Sequence, residues 1–357
     1  AYKSMPYFIC WGYQMGHVIY QAILLNIINS ITFLKIVNAI VTSSTVIMIY
    51  LIGKELSTTK AAIIISIIYS IFLFPLLLNT VLTNQLLPML LILIAIYLWM
   101  KKKKENKLMP VIIGILLGIS NMLRSETIVI IIAFVLYTIF LMIKKENRKA
   151  LIINLCLIII SYFTLTTATS FVLKATDISP SGLENKNSSW KFLEGLNVET
   201  RGQYSEDDAV KYSYDKKKTT KELKKRIQEE WQQYPLLFAK KTKILWLNSD
   251  LSWPLGHIEN QEDLKLYEGI NQIFIYFFVI MSLLSAITLF KKTYKKEQIL
   301  ILLILFVYFG VYLFIEVMPR YAYSLQIFEA LLASITLGYI LDNKKISKVG
   351  DHHAKTR

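Results

Sequence analysis

Cysteine and histidine are scarce, and where they fall excludes two kinds of chemistry. Cys10 and Cys156 stand far apart, in or beside apolar segments, so neither a disulfide framework nor a thiolate metal site is supported. His17, His257, His352 and His353 make no metal pattern with nearby carboxylates. No glycine-rich phosphate loop, serine triad or Cys–His pair at catalytic spacing occurs, which argues against nucleotide-driven chemistry. Acid is missing altogether from residues 1–50, which hold no Asp or Glu. Charge is nearly absent from the long apolar runs: Lys35, near one end, and Glu329, well inside another, are the exceptions.

What is present is apolar and periodic. The 357 residues are 54% hydrophobic and only 18% charged, with a mean hydropathy of +0.46. Apolar runs fall at 33–51, 61–78, 86–100, 109–123, 127–143, 151–172, 270–290, 299–315 and 322–341. Several approach the roughly 20 residues that a helix needs to cross a bilayer, and backbone hydrogen bonding in lipid demands helices. The expected fold class is an all-α polytopic membrane protein with one extracytoplasmic loop domain.

Lysine fixes the direction of the chain. Blocks at 54–60, 101–107, 144–149, 291–296 and 344–348 follow every second run, as the positive-inside rule requires. The net charge of +15 therefore reads as cytoplasmic ballast. A nucleic-acid face would gather basic residues and aromatics on one polar domain. The blocks divide the chain into an outer remnant with an interfacial helix (1–32), membrane helices (33–173), an extracytoplasmic domain (174–268), further membrane helices (269–342) and a cytoplasmic basic tail (343–357). Within the polar domain, Leu223, Ile227 and Trp231 are spaced for one face of a helix starting near Thr220 and ending at Pro235.

The opposite face collects the unusual polar residues. Glu316 and Arg320, with Tyr321 and Tyr323, close the penultimate run. A guanidinium at that depth holds a phosphate bidentately, and ionisable groups at membrane depth usually mark function. Arg124 and Glu126 occupy a tight hairpin turn whose first arm, 109–123, is short, so the turn is expected below the surface. Asn84 and Gln85 form another outer turn. A charged turn exposed to water, or an interfacial tyrosine belt, would explain each of these separately.

These residues resemble the GT-C membrane glycosyltransferases, in particular the protein-mannosyltransferase and aminoarabinose-transferase group of Gram-positive type. Lys35-Ile36-Val37-Asn38 through Gly53-Lys54-Glu55-Leu56 is similar to an early span of that family. Gly114 and Gly118 with Leu123-Arg124 resemble its glycine-rich span, and Pro319-Arg320-Tyr321 its late Arg-Tyr element. Trp11-Gly12-Tyr13-Gln14 resembles an opening motif of the Gram-positive members, and Gly195-Leu196-Asn197 with Gly202 and Tyr204 a loop element. The resemblance implies transfer of a sugar from a polyprenyl-phosphate lipid donor to a glycan or protein acceptor on the outer face of the cell membrane. Tyr13, Gln14, Asn84, Gln85, Arg124, Glu126, Asn197, Tyr204, Glu316, Arg320, Tyr321 and Tyr323 are the substrate-binding candidates. No nucleic-acid partner and no certain cofactor are implied, and dependence on a divalent metal stays open.

Two departures stand out. The family's catalytic carboxylate lies in the first external loop, yet residues 1–50 carry no acid. Asn84 stands roughly where a second family acid belongs. The general base is therefore expected upstream of Ala1, and the chain, starting at Ala1-Tyr2-Lys3, is expected to be a fragment inactive alone. A lipid-linked polysaccharide polymerase or ligase shares these features. A transporter or flippase would instead line a midplane path with ionisable groups, of which Glu329 is the candidate.

Overall fold

A computed structural model describes residues 5–102, 106–291 and 294–354, with side chains to Asp342 except that of Lys291. The lysine blocks at 101–107 and 291–296 lie partly outside these residues. The side chains of 344–348 and of His352 and His353 lie wholly outside them.

All regular structure among the described residues is helical. Short α1 (Pro6–Cys10) and α2 (Met15–Ile27) precede α3 (Ile31–Leu56), whose first turn is capped by the Ser30 hydroxyl. The run at 61–78 is not one helix: α4 (Thr59–Ser70) and α5 (Leu73–Leu77) meet at a bend of 56°. Pro75 explains the break. In a continuous helix its ring would strike the carbonyl of Ile71. The freed Phe74 N–H donates instead to Asn271 Oδ1 at 2.9 Å. Next come α6 (Leu86–Lys101), α7 (Leu108–Leu123) and α8 (Thr127–Ile143), then α9 (Arg148–Ala175), capped by Asn147.

Between residues 176 and 260 the chain leaves the bundle for a polar layer of short helices. These are α10 (Trp190–Gly195), α11 (Glu206–Tyr212), α12 (Lys216–Glu230), α13 (Tyr234–Thr242) and α14 (Ser252–Leu255). The amphipathic reading of this region needs correcting at both ends of the helix. Its start lies ahead of Thr220, because the Asp215 carboxylate caps α12 by receiving the Lys217 and Lys218 N–H groups at 3.0 Å. Pro235 sits in the first turn of α13, where its missing N–H costs nothing. Leu223 packs beside Trp11 and Trp190, but Ile227 and Trp231 remain exposed. Arg226 is what ties α12 down: its guanidinium grips Asp208 at 2.7 and 2.8 Å.

The bundle closes with α15 (Gln261–Lys291), α16 (Lys296–Phe314) and α17 (Ala322–Ala354). Among the described residues five helices are long and apolar enough to cross a membrane, and the bent α4–α5 pair adds a sixth. By contrast α6, α7 and α8 have 16, 16 and 17 residues, about 24–26 Å at 1.5 Å per residue. The α7–α8 turn at 124–126 is thereby drawn inward. The stretch Pro319–Asp342, mostly α17, is the centre, 78% buried, while α9 is peripheral at 22%. Gly114 lets α7 and α9 touch backbone to backbone: a Cβ there would lie 2.4 Å from the Ile158 carbonyl oxygen.

One end of the bundle gathers the described lysines of the blocks. Lys101 pairs with Glu55 at 2.7 Å, Lys295 donates to the Glu55 carbonyl at 2.8 Å, and Lys296 pairs with Glu146. The polar layer and the turns at 84–85, 124–126 and 316–320 occupy the other end.

Candidate functional site

The short α7 and α8 carry the Arg124 turn down beside the starts of α6 and α17. Glu126 anchors it. Its Oε1 accepts Arg124 Nε at 2.6 Å, and its Oε2 accepts the Ser324 hydroxyl of α17 at 2.8 Å. Arg124 is thereby spent. Its Nη1 reaches Asn84 Oδ1 at 2.9 Å, and its guanidinium lies 5.2 Å from the Tyr321 ring centre. The Arg124 and Glu126 side chains are only 14% and 16% exposed. Asn84 passes the connection on by donating to Gln14 Oε1 at 3.4 Å, and Gln85 donates to the Arg320 carbonyl.

Arg320 is different. It sits in the tight turn Pro319–Tyr321, its guanidinium 5.0 Å from the Trp253 ring centre and 5.7 Å from that of Tyr321. Among the described residues no carboxylate neutralises it. Two aromatic faces hold the cation while its N–H fork stays unused.

Above Arg320 lies a cavity of about 230 Å³, walled by aromatic side chains. Residues 9–12 complete it by pairing with the polar layer. Lys186 N–H donates to the Cys10 carbonyl at 2.8 Å and the Ser181 hydroxyl to the Ile9 carbonyl at 2.7 Å. Trp11 and Trp190, both buried, are thus set side by side with Cys10 and Leu193. The polar wall is the ion pair of Lys191 with buried Glu316, which also receives the Tyr321 hydroxyl at 3.4 Å. Burial alone would push the Lys191 ammonium down, but Tyr321 and Glu316 hold it above its usual range.

The connection before α17 is strapped to the polar layer. Glu316 N–H donates to the Lys191 carbonyl and Val317 N–H to the Gly202 carbonyl, each at 2.8 Å. Lys241, almost fully buried, sends its three N–H groups to the carbonyls of Gly195, Leu313 and Ile315 at 2.7–2.8 Å. It thereby caps the C-terminal end of α16, while burial pushes the Lys241 ammonium down to about 7 with Glu316 pulling the other way. Beside this strap, burial pushes the Glu194 carboxyl up to about 8, and Glu316 and Asp208 add to the rise against the Ser205 N–H and Lys191.

The sequence candidates therefore divide. Tyr13, Gln14, Tyr204, Glu316 and Arg320 line the cavity, and Asn84, Gln85, Arg124, Glu126 and Tyr321 form the network beneath it. Tyr323 is buried in the bundle core, and Asn197 lies within the polar layer, donating to Asp208 at 2.8 Å. Sequence reasoning missed Lys191, Trp190, Tyr7, Tyr214 and Trp253. The one signal for Lys191 was a tryptophan immediately before it in an otherwise hydrophilic stretch. Among the described residues no three His, Cys, Asp or Glu side chains gather as a metal site.

Residues 16–165, from α2 into α9, match the family of dolichyl-phosphate-mannose-protein mannosyltransferases. That match covers less than half of the chain. The whole helical arrangement is similar to the archaeal oligosaccharyltransferase AglB from Archaeoglobus fulgidus, solved in complex with an inhibitory peptide and a dolichol-phosphate. That likeness has a TM-score of 0.51 at 14% identity, covering 97% of this chain and 45% of AglB. The chain thus spans less than half the length of that neighbour. No protein of curated function matches the sequence. The family similarity over residues 16–165 and the AglB likeness converge on a GT-C-like helical bundle.

Proposed function

We propose that this GT-C chain is a membrane glycosyltransferase that takes a sugar from a polyprenyl-phosphate donor, and that Arg320 holds the donor phosphate. The unneutralised Arg320 guanidinium carries the reading. Of the two arginines at this end, Arg124 is occupied by Glu126 and Asn84, whereas the fork of Arg320 is free to grip a phosphate bidentately. The family match and the dolichol-phosphate bound to AglB support a lipid-phosphate donor.

A path for the donor's tail lies alongside. An apolar groove of about 380 Å³ runs between α15 and α16, walled by Trp246, Leu283, Phe306 and Phe309. The π-helical turn Lys243–Leu247 borders this groove and packs on the Pro319–Tyr321 turn that carries Arg320. Glu329, the residue a transport path would need, is buried in α17 and lines neither groove nor cavity.

The reaction is displacement at the anomeric carbon. The acceptor hydroxyl attacks, the bond from sugar to phosphate breaks, and the lipid phosphate departs as Arg320 stabilises its growing charge. A base must take the acceptor proton. Glu126 and Glu316 are each engaged by a cation, so the reading keeps that base outside both. The acceptor, glycan or protein, is placed on the end of the bundle that bears the polar layer, read as the outer face.

Donor binding tests this without needing turnover. Arg320→Ala is expected to weaken binding of a polyprenyl phosphate to the chain in nanodiscs by about 10- to 100-fold, the loss of a charged bidentate contact. Trp253, beside Arg320, reports occupancy by its fluorescence. Arg124→Ala should chiefly lower the thermal midpoint. Unchanged lipid-phosphate affinity in Arg320→Ala would remove that residue, and this reading, from the site.

A further inference from the structure

Resting on that reading, we propose that the loop 195–202 and Lys241 form a clamp that positions Arg320 for the lipid phosphate. The glycines of this loop, Gly195 and Gly202, stand out in the sequence, yet they line neither the cavity nor the groove. What they touch is the chain leading to Arg320. Residues 313–317 carry the end of α16 toward the Pro319–Tyr321 turn, and they pass directly against both glycines. A Cβ on Gly195 would lie 2.2 Å from the Ile315 carbonyl carbon, so that close approach requires glycine. The Gly202 carbonyl accepts the Val317 N–H at 2.8 Å. Gly202 has a φ of 75°, and a Cβ there would lie 2.7 Å from Lys241 Cδ, in space the lysine stem already fills.

Lys241 locks the two sides together. Its Nζ holds the Gly195 carbonyl of the loop and the Leu313 and Ile315 carbonyls of the passing chain. Val317 is left fully buried beneath the loop. The Pro319–Tyr321 segment is a single turn of 3₁₀-helix, too short to set its own direction. Gln85 fixes one point of it by donating to the Arg320 carbonyl, and the clamp fixes the line along which the backbone arrives. A bidentate grip on phosphate demands that both N–H groups of the fork meet their oxygens together, which requires the backbone behind the guanidinium to be held firmly. Gly195, Gly202 and Lys241 are therefore positioning residues, acting on the phosphate only through Arg320.

Binding of a bare polyprenyl phosphate to the intact chain in nanodiscs, followed by native mass spectrometry, tests the clamp. Lys241→Met and Gly202→Ala should each weaken binding by about 3- to 10-fold, less than Arg320→Ala does. Gly202→Ala removes no hydrogen-bonding group, so it carries the test should Lys241→Met fail to fold. The double variant Lys241→Met/Arg320→Ala should bind no more weakly than Arg320→Ala alone, because the clamp has nothing left to position. A purely structural role would not produce that loss of additivity. Gly114→Ala, which forces α7 from α9 far from Arg320, is the stability control: its thermal midpoint should fall while its affinity stays at the wild-type value. Wild-type affinity in both clamp variants beside a weakened Arg320→Ala would overturn the clamp alone. So would a double variant whose loss is the product of the two single losses. Wild-type affinity in Arg320→Ala would instead remove the phosphate reading, and the clamp with it.

Discussion

At the scale of single residues, the two arginines that look equivalent in sequence are made unequal by their neighbours. The turn partner of Arg124 is Glu126, two residues away, so an ion pair there was legible. What the sequence could not supply was Ser324, about 200 residues on, whose hydroxyl fixes the other Glu126 oxygen. Lys191 was illegible for a related reason. It is one of many lysines in a hydrophilic stretch, and its partner Glu316 lies 125 positions away. Glu194 gives the pH prediction. Its folded-state carboxyl sits at about 8 against 4.5 unperturbed. Below 4.5 both folded and unfolded chains carry the proton. Between about 4.5 and 8 only the unfolded chain ionises, so this group makes stability fall as pH rises through that window. Glu194→Gln should flatten the slope of thermal midpoint against pH from about 5 to 8, and an identical slope in that variant would refute the shifted carboxyl.

Among elements, apolar runs foretold helices well where lipid and bundle agree. The run at 127–143 is α8 to the residue, and 86–100 is α6 less one. Polar ends were less legible, since α9 and α15 continue past their apolar runs on capping and polar contacts that hydropathy does not register. The break between α4 and α5 had a visible cause in Pro75, yet an unbroken apolar pattern concealed it. Close backbone approach is testable here. A Cβ on Gly16 of α2 would lie 1.9 Å from the Met122 carbonyl oxygen of α7. Gly16→Ala should therefore destabilise by about 1–3 kcal/mol and loosen Gln14 from Asn84. Gly310, in α16 with nothing near its missing Cβ, is the control, where alanine should gain about 0.5–1 kcal/mol. Thermal melts in detergent distinguish the two. Lys241→Met strands two carbonyls at the end of α16 and the Gly195 carbonyl of α10 and should cost about 3 kcal/mol. A wild-type midpoint for that variant would show that the strap does not depend on it.

For the whole molecule, the alternation of lysine blocks anticipated which residues share an end of the bundle. The ends are real features of the fold: Glu55, Lys101, Glu146 and Lys296 meet at one, and Asn84, Arg124, Glu316 and Arg320 at the other. Sidedness in the membrane is the proposal that follows. With Cys10 and Cys156 replaced by serine, a cysteine at exposed Lys217 should react with an impermeant maleimide on intact cells. One at Lys60 should react only after permeabilisation, and the reverse pattern would invert the topology. Depth within the bundle was not legible in this way, because it depends on how short α6, α7 and α8 are drawn against longer neighbours.

Residues 9–14 make their distant bonds only to parts of the chain that are synthesised later. Ile9 and Cys10 pair with Ser181 and Lys186, Trp11 bridges to Asn185, and Gln14 meets Asn84. The first part of the cavity wall to leave the ribosome is therefore the last to find its place. Its partners are complete only once the chain has been made past residue 186. The cavity wall thus cannot be complete before those distant partners exist, because its closure depends on how far along the chain they lie.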